Sequence, residues 1–302
     1  MLNFVHGGLG KNGGQTARQR FFEYHRVIDM FLCGWFSSGR GQGSIDLLKT
    51  AHQKMLSGFI PGRIAYVFCD RAPNETPAAT RFAEVVESLN LPLVIHSSRE
   101  LREKIRLHDP EVEEARLAFD HRIIELLSGY EVRVVVLAGY MLVLSPFLCQ
   151  RLLCLNLHPA MPGGPTGTWR QVMWRLIETE ASEAGAMMHL VSPELDKGPP
   201  VTYFHFSLRG PHFDPLWESY RNKRRRASFS DIRSREGVQE PLFARLRAEE
   251  LRREFPLIFL TLQNLATGRL VLTPMGVKTG DRLVPGGFDI TDQIEAYLTP
   301  RG

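Results

Sequence analysis

The stretch Val132-Arg133-Val134-Val135-Val136-Leu137-Ala138-Gly139-Tyr140-Met141 decides how this chain folds. A β-branched run that is apolar almost throughout is the pattern of a strand buried on both faces, and such strands belong to parallel sheets covered by helices. Downstream, residues 152–157 (LLCLNL) read as the next short buried strand, closed by Asn156-Leu157-His158-Pro159. Upstream, a long helix is predicted over 111–127, strands over 92–96 and 63–69, and helices over 81–89 and 45–56, the last from Ile45, Leu47, Leu48, Ala51 and Met55. The first central strand is read at 27–36, followed by a Gly-rich loop at 37–44 (SSGRGQGS). Beyond the Asn-Leu-His-Pro segment come a helix at 168–178 and strands near 186–192 and 201–206.

Strands alternating with helices imply an α/β fold of three layers, a mostly parallel twisted sheet with helices on both faces. Ligands of such sheets bind beyond the carboxyl ends of the strands. The Gly-rich loop, Gly139–Met141 and His158 all fall at predicted strand ends, so they are expected on one edge. The domain is read as 27–275, with an N-terminal extension at 1–26 and a C-terminal tail at 276–302. The tail is expected to be an irregular surface segment. Residues 210–240 break the rhythm with Arg221-Asn222-Lys223-Arg224-Arg225-Arg226 and read as a mobile basic insertion. That run is short and holds few aromatics, which favours a solvated loop over a nucleic-acid patch.

The bulk composition narrows the classes. At 302 residues with a formal net charge of +4, the chain can bury a sizeable core and carries only a mild basic excess. The N-terminus lacks the pattern of a signal peptide, and there is no apolar run of about 18 residues, so neither secretion nor a membrane span is expected. Cys33, Cys69, Cys149 and Cys154 lie in or beside apolar segments without metal-ligand spacing. They read as reduced core residues of a cytoplasmic protein.

The chemistry sits at the strand ends. Side chains alternate along a strand, so Asn156 and His158 project from the same face. Asn donates a neutral hydrogen bond and His moves a proton near neutral pH. Asp196, in the turn Leu195-Asp196-Lys197-Gly198-Pro199, follows another apolar run and could pair with the imidazole. Together they could hold an oxyanion and transfer a proton, as acyl transfer requires. A strand-end Asn and a satisfied structural His remain the plain alternative for the pair. His189, inside the apolar segment 186–191, reads as a satisfied structural histidine. The Gly-rich loop follows a strand and opens a helix, so it presents backbone N–H groups to an anion. It is neither the dinucleotide G-x-G-x-x-G nor a P-loop. A flexible turn competes with a phosphate cradle there.

Five segments in order resemble the glycinamide ribonucleotide formyltransferase family. Ser38-Gly39 through Gly43-Ser44 is similar to its phosphate loop, lengthened here. Arg116-Leu117-Ala118-Phe119-Asp120 resembles its R-x-x-Y-D helix motif, and Val136 through Met141 its V-L-A-G-[FY]-M strand end. Asn156 through Pro159 matches N-[IL]-H-P. His189-Leu190-Val191 with Glu194 through Pro199 resembles H-[FY]-V-x-x-x-L-D-x-G-P. The resemblance implies a formyltransferase-like, Rossmann-related fold and formyl transfer from 10-formyltetrahydrofolate to a primary amine, with no metal. Its likeliest acceptor is glycinamide ribonucleotide, in purine biosynthesis. It also implies a catalytic trio of Asn156, His158 and Asp196 and a phosphate site of Arg40, Gly41, Gly43 and Ser44. Arg116, Tyr140, Met141, Leu142 and Leu144 would hold the folate. Glu250 would contact the acceptor amine, although the family's Glu register is shifted by one here and Leu251 occupies the expected place. Tyr140 and Met141 could equally just pack the strand end, and Arg116 could be a surface ion-pairing residue.

The implied partners are small molecules, the folate and a phosphorylated amine, with neither nucleic acid nor membrane. The oligomeric state is open, a homodimer being one option. Another phosphorylated or sugar amine is an alternative acceptor. Hydrolysis of 10-formyltetrahydrofolate is an alternative reaction, disfavoured because residues 1–26 are too short for the regulatory domain such hydrolases usually carry. A catalytically silent binding protein is disfavoured by the presence of all three polar residues.

Overall fold

Apolar runs become strands where both faces can be covered. The computed structural model describes residues 30–299, so the extension read at 1–26 lies outside the described residues. In chain order the strands are β1 (Phe31–Ser37), β2 (Gly62–Cys69), β3 (Leu93–Ile95), β4 (Val134–Leu137), β5 (Cys154–His158), β6 (Glu183–Leu190) and β7 (Pro200–Ser207). Then come β8 (Val271–Thr273), β9 (Gly276–Thr279), β10 (Arg282–Val284) and β11 (Phe288–Asp289). One eight-stranded sheet has the order β11-β7-β6-β5-β4-β1-β2-β3, and β10-β9-β8 form a small antiparallel sheet. All pairings in the large sheet are parallel except those of β6 with β5 and β7. The sheet is mostly parallel, as the pattern predicts.

The helices are α1 (Gln42–Leu56), α2 (Pro77–Ser88), α3 (Arg99–Leu107), α4 (Val112–Leu127), α5 (Pro146–Cys149), α6 (Trp169–Glu178), α7 (Asp214–Arg224), α8 (Phe229–Glu236), α9 (Pro241–Ala266) and α10 (Thr291–Leu298). One core cluster joins α1, α2, α9 and α10 to the sheet through residues such as Leu48, Phe82, Phe259 and Ile294. A second joins α4 and α5 to the sheet through Ile123, Leu148, Phe36 and Val135. Val134, Val135 and Val136 of β4 are 1%, 0% and 1% exposed, as a central strand requires. Each such side chain contributes about 1.5–3 kcal/mol by leaving water. Cys33, Cys69 and Cys154 are buried free thiols, and burial pushes Cys69 up to about 11, which makes it a poor nucleophile.

Register aligns the strand ends. Phe36 pairs with Leu137, Leu137 with Asn156, and Asn156 with His189. The chain therefore leaves β1, β4 and β5 at one edge, as expected.

Two readings are corrected. Residues 210–240 are helical, not a mobile loop: α7 and α8 bury Trp217, Tyr220 and Ile232 in a third cluster with Trp174 of α6 and Phe243 and Leu246 of α9. Ser228 caps α8 in a reciprocal box, its Oγ accepting from Asp231 N–H at 3.1 Å and its own N–H donating to Asp231 Oδ2 at 3.2 Å. The arginines of the run occupy solvent-facing positions and conceal the few apolar ones in a plain reading of charge. The segment after Pro274 is likewise not irregular. It forms β9, β10 and β11, with Phe288 and Asp289 pairing in parallel with Thr202 and Tyr203 of β7. Helix α10 then packs fully buried Ile294 against α9. Strands of two to four residues are too short to show a period. The boundary drawn at 275 accordingly divides the small sheet between β8 and β9 and leaves β11, the main sheet's edge strand, outside the domain. Among the described residues, no helix is long and apolar enough to cross a membrane.

Candidate active site

The turn after β6 brings Asp196 back to the end of β5. Leu190 N–H donates to Pro199 O at 2.9 Å, and a Cβ on Gly198 would stand 1.6 Å from Leu190 O. Only glycine lets this turn lie so close to the strand. Asp196 itself has φ +58, a left-handed conformation that Asp adopts more readily than most residues. Its Oδ2 lies 3.5 Å from His158 Nδ1 and 3.5 Å from the N–H of Gly167. The Asp196 side chain is 10% exposed and that of His158 only 3%.

His158 and His189 hold opposite kinds of partner. His158 Nε2 donates to Pro165 O at 2.8 Å, so the loop 160–167 caps one ring nitrogen while the other faces the carboxylate. His189 Nδ1 donates to Leu190 O at 2.9 Å, which makes its Nε2 an acceptor. The Asn156 amide nitrogen donates to that Nε2 at 3.4 Å. This contact settles which end of the Asn156 amide is nitrogen and leaves its second N–H free. Burial holds the His189 pKa below its ordinary value, with the nearby His158 adding in the same direction, so the ring stays a neutral acceptor. The sequence reading of His189 as structural omitted this contact with Asn156; the alternation of strand pairing, which places 189 opposite 156, is the signal that could have found it.

A cavity of about 400 Å³ opens beside these groups, lined by Asn156, His189, Asp196 and by Tyr140, Met141, Leu142, Val143 and Leu144. Gly167, Thr168 and Gln171 close another side. Met141, Val143 and Leu195 are 60%, 47% and 64% exposed, so the lining offers unpartnered apolar surface to a flat ligand. Four of the five residues read as folate-binding thus line the cavity, whereas Arg116 does not. Its Nη1 donates to Val143 O at 2.8 Å and its Nε sits 3.6 Å from Glu113. One turn along α4, buried Asp120 accepts from Ser145 N–H at 2.9 Å. The i, i+4 pair therefore grips the backbone of the lining loop from behind.

The Gly-rich loop is tied to the same edge. Ser38 N–H donates to Gly139 O at 3.1 Å, and Ser38 Oγ accepts from Met141 N–H at 3.1 Å. Gly139 has φ +72, and a Cβ there would meet Ser44 Oγ at 2.8 Å, so the strand end and the loop need that glycine to sit together. Gly41 caps α1 without a side-chain hydrogen bond, and no acidic residue occupies the first turn. The first N–H groups of a helix have no intrahelical partner and carry the positive end of its dipole. Arg40, Gly41 and Gly43 are exposed and Ser44 half-buried.

Glu250 does not join these groups. It is 0% exposed, paired with Arg247 at 2.7 Å, and its pKa is pushed up to about 8 by burial and by nearby Glu254. A carboxylate sealed within the α9 packing cannot contact an acceptor, which corrects the role read for it. Among the described residues, no group of three or more His, Cys, Asp or Glu is placed to hold a metal ion.

Known proteins share both sequence and fold with this chain. The family model described as "Formyl transferase" matches residues 36–206, more than half of the chain. A phosphoribosylglycinamide formyltransferase of Haemophilus influenzae is 27% identical over 163 residues, covering 53% of this chain and 66% of the relative. The chain spans 42% to 66% of the length of the curated relatives it matches. The phosphoribosylglycinamide formyltransferase structure from Coxiella burnetii, in complex with CHES, superposes with a TM-score of 0.58 at 19% identity, covering 86% of this chain and 99% of that one. A formyltetrahydrofolate deformylase from Pseudomonas putida shares the fold at a TM-score of 0.53 and 14% identity, covering 89% of this chain and 81% of that one. The matched span runs from the end of β1 to the end of β7 and contains Asn156, His158 and Asp196; this chain belongs to the formyl transferase family.

Proposed function

We propose that the protein transfers a formyl group from 10-formyltetrahydrofolate to a primary amine, with glycinamide ribonucleotide as acceptor. The observation that carries this reading is the convergence of Asn156, Asp196 and the Tyr140–Leu144 loop on one cavity, with His158 against Asp196. The apolar loop would hold the pterin, and the α1 loop with Arg40, Gly41, Gly43 and Ser44 would take the acceptor's phosphate.

The steps follow from the groups present. The amine lone pair forms a bond to the formyl carbon, and the C=O electron pair moves onto oxygen. The free N–H of Asn156 stabilises that oxyanion, joined by His158 Nε2–H once the loop 160–167 withdraws the Pro165 carbonyl from it. Asp196, facing His158, holds the ring and accepts the amine's surplus proton through a water. Collapse of the oxyanion breaks the bond to the folate nitrogen, which takes up a proton as it leaves. The Pro165 carbonyl on His158 Nε2 restrains the ring, and Gly163 and Gly167, both at positive φ, give the covering loop places to bend.

Supplying 10-formyltetrahydrofolate with and without glycinamide ribonucleotide, while following tetrahydrofolate and formate, tests the reading. Turnover that requires the acceptor and releases no formate is the expected result. Equal turnover without acceptor would show hydrolysis instead. Acceptor-dependent turnover only with a different phosphorylated or sugar amine would replace the substrate and keep the chemistry.

A further inference from the structure

Most polar side chains lining the cavity at β5 have already spent their hydrogens. Thr168 Oγ1 donates to Gln171 Oε1 at 2.8 Å, and Ser192 Oγ donates to Glu194 O at 2.8 Å. His189 donates through Nδ1 to Leu190 O and accepts through Nε2 from Asn156. Asp196 as a carboxylate only accepts, and the Tyr140 hydroxyl is closed to solvent. Among the described residues of the lining, two side-chain amides therefore keep N–H groups for a ligand, those of Asn156 and Gln171. The formyl oxygen occupies the first of them in the mechanism above, and the second has no task there.

Gln171 is held so that only its nitrogen is left over. Its Oε1 accepts from the Thr168 N–H at 2.9 Å and from the Thr168 hydroxyl at 2.8 Å. A backbone N–H can only donate, which settles which end of the amide is oxygen. Gln171 N–H in turn donates to Thr168 Oγ1 at 3.4 Å, completing the reciprocal box that opens α6. Gly167 makes room for this arrangement: it has φ +112, and a Cβ there would lie 2.9 Å from Gln171 Oε1. The N–H of the same Gly167 faces Asp196 Oδ2, so the amide is anchored beside the carboxylate of the trio. Gln171 is exposed on the cavity wall, and its Nε2 has no partner among the described residues. A glutamate would close the capping box equally well; only a glutamine adds a free donor.

We propose that Gln171 is a folate-binding residue, its Nε2 donating to a carbonyl or carboxylate oxygen of 10-formyltetrahydrofolate and so fixing where the formyl carbon stops against Asn156 and Asp196. The inference rests on the formyl-transfer reading of this cavity. The apolar Tyr140–Leu144 loop can hold a flat ring but cannot fix its position along the loop, because apolar contact has no direction. A hydrogen bond from a donor that is itself locked by Thr168 and Gly167 supplies that direction, as orientation of the reacting carbon requires. A ligand without the matching oxygen would leave the N–H unpaired and be rejected.

Calorimetric titration of the full-length protein with tetrahydrofolate, and with 6-methyltetrahydropterin, which lacks the benzoylglutamate, reads binding apart from turnover. Gln171→Glu is the decisive variant. One carboxylate oxygen still accepts from Thr168, so the cap and Tm should be kept, while the donor becomes an acceptor. Affinity for tetrahydrofolate should fall about 10–100-fold. Gln171→Met, neutral and of similar length, should fall about 10-fold and lower Tm through the lost cap. A fall for tetrahydrofolate alone would place the accepting oxygen on the benzoylglutamate, and a fall for both ligands would place it on the pterin. Affinity within twofold of wild type in Gln171→Glu, with Tm kept, would overturn the proposal and leave Gln171 as a cap alone. So would a fall confined to Gln171→Glu, which would mark charge repulsion in place of a lost donor. No binding of tetrahydrofolate by the wild type would overturn the proposal together with the folate reading of the cavity.

Discussion

Asp196 and Glu250 are two carboxylates that sequence similarity places in one active site, and the fold treats them in opposite ways. Asp196 stands on a left-handed turn at the cavity wall, opposite an imidazole and a backbone N–H. Glu250 lies inside the packing of α9, in a charge cluster with Arg247 and Glu254. The former keeps its oxygens at the cavity wall, while the latter is sealed from solvent and holds its proton up to about 8. A carboxylate's role is thus set by what surrounds it more than by its place in a motif.

Three perturbations would break or sharpen that contrast. The largest effect is expected from Asp196→Asn, which removes the proposed proton acceptor and tolerates the same backbone conformation. Turnover should fall by about 10²–10⁴-fold with the fold intact, as followed by formyl transfer and circular dichroism. Turnover within threefold of wild type would mean that Asp196 is no more functional than Glu250.

A smaller loss is expected one residue pair away. His189→Phe removes the acceptor that orients the Asn156 amide, so kcat should fall by about 10–100-fold with little change in folate binding. The native protein should also lose stability as pH falls through and below 6.5, because the unfolded chain protonates this histidine at its ordinary value of 6.5 while the buried ring resists. In the variant that part of the acid sensitivity should vanish, as urea unfolding at pH 5.5 and 7.5 would show. An unchanged kcat would return His189 to a purely structural role.

The mildest effect belongs to Glu250. Its folded pKa of about 8 lies above the ordinary 4.5, so the folded state holds a proton that the unfolded state has lost. Stability from this group is full below pH 4.5 and declines as pH rises through 8, at up to about 1.4 kcal/mol per pH unit. Glu250→Gln should abolish that decline, making the variant gain about 2 kcal/mol on wild type between pH 5.5 and 7.5 in urea melts. Activity should hold near wild type. A large loss of kcat without loss of stability would restore Glu250 to the active site.

Legibility in the sequence followed the range of the interactions. The strands around Val134–Leu137 and the end of β5 were readable because burial on both faces leaves a continuous apolar run. The insertion was misread because three buried residues, Trp217, Tyr220 and Ile232, anchor two helices whose other positions are mostly polar or charged. The segment after Pro274 was misread because β11 exists only through pairing with β7, far away in the chain. Arg116, read on the folate side, stands behind the cavity-lining loop, where its hydrogen bond goes to the Val143 carbonyl.

By itself the sequence determined the α/β class, the strand ends and the residue types that carry acyl-transfer chemistry, because hydrophobic period and side-chain chemistry are local properties. Only the tertiary structure decided that His189 orients Asn156, that Pro165 covers His158, that Glu250 is sealed in α9, and that the basic run closes a packed helix. Each of these depends on burial and on partners distant in sequence, which the order of residues does not by itself contain.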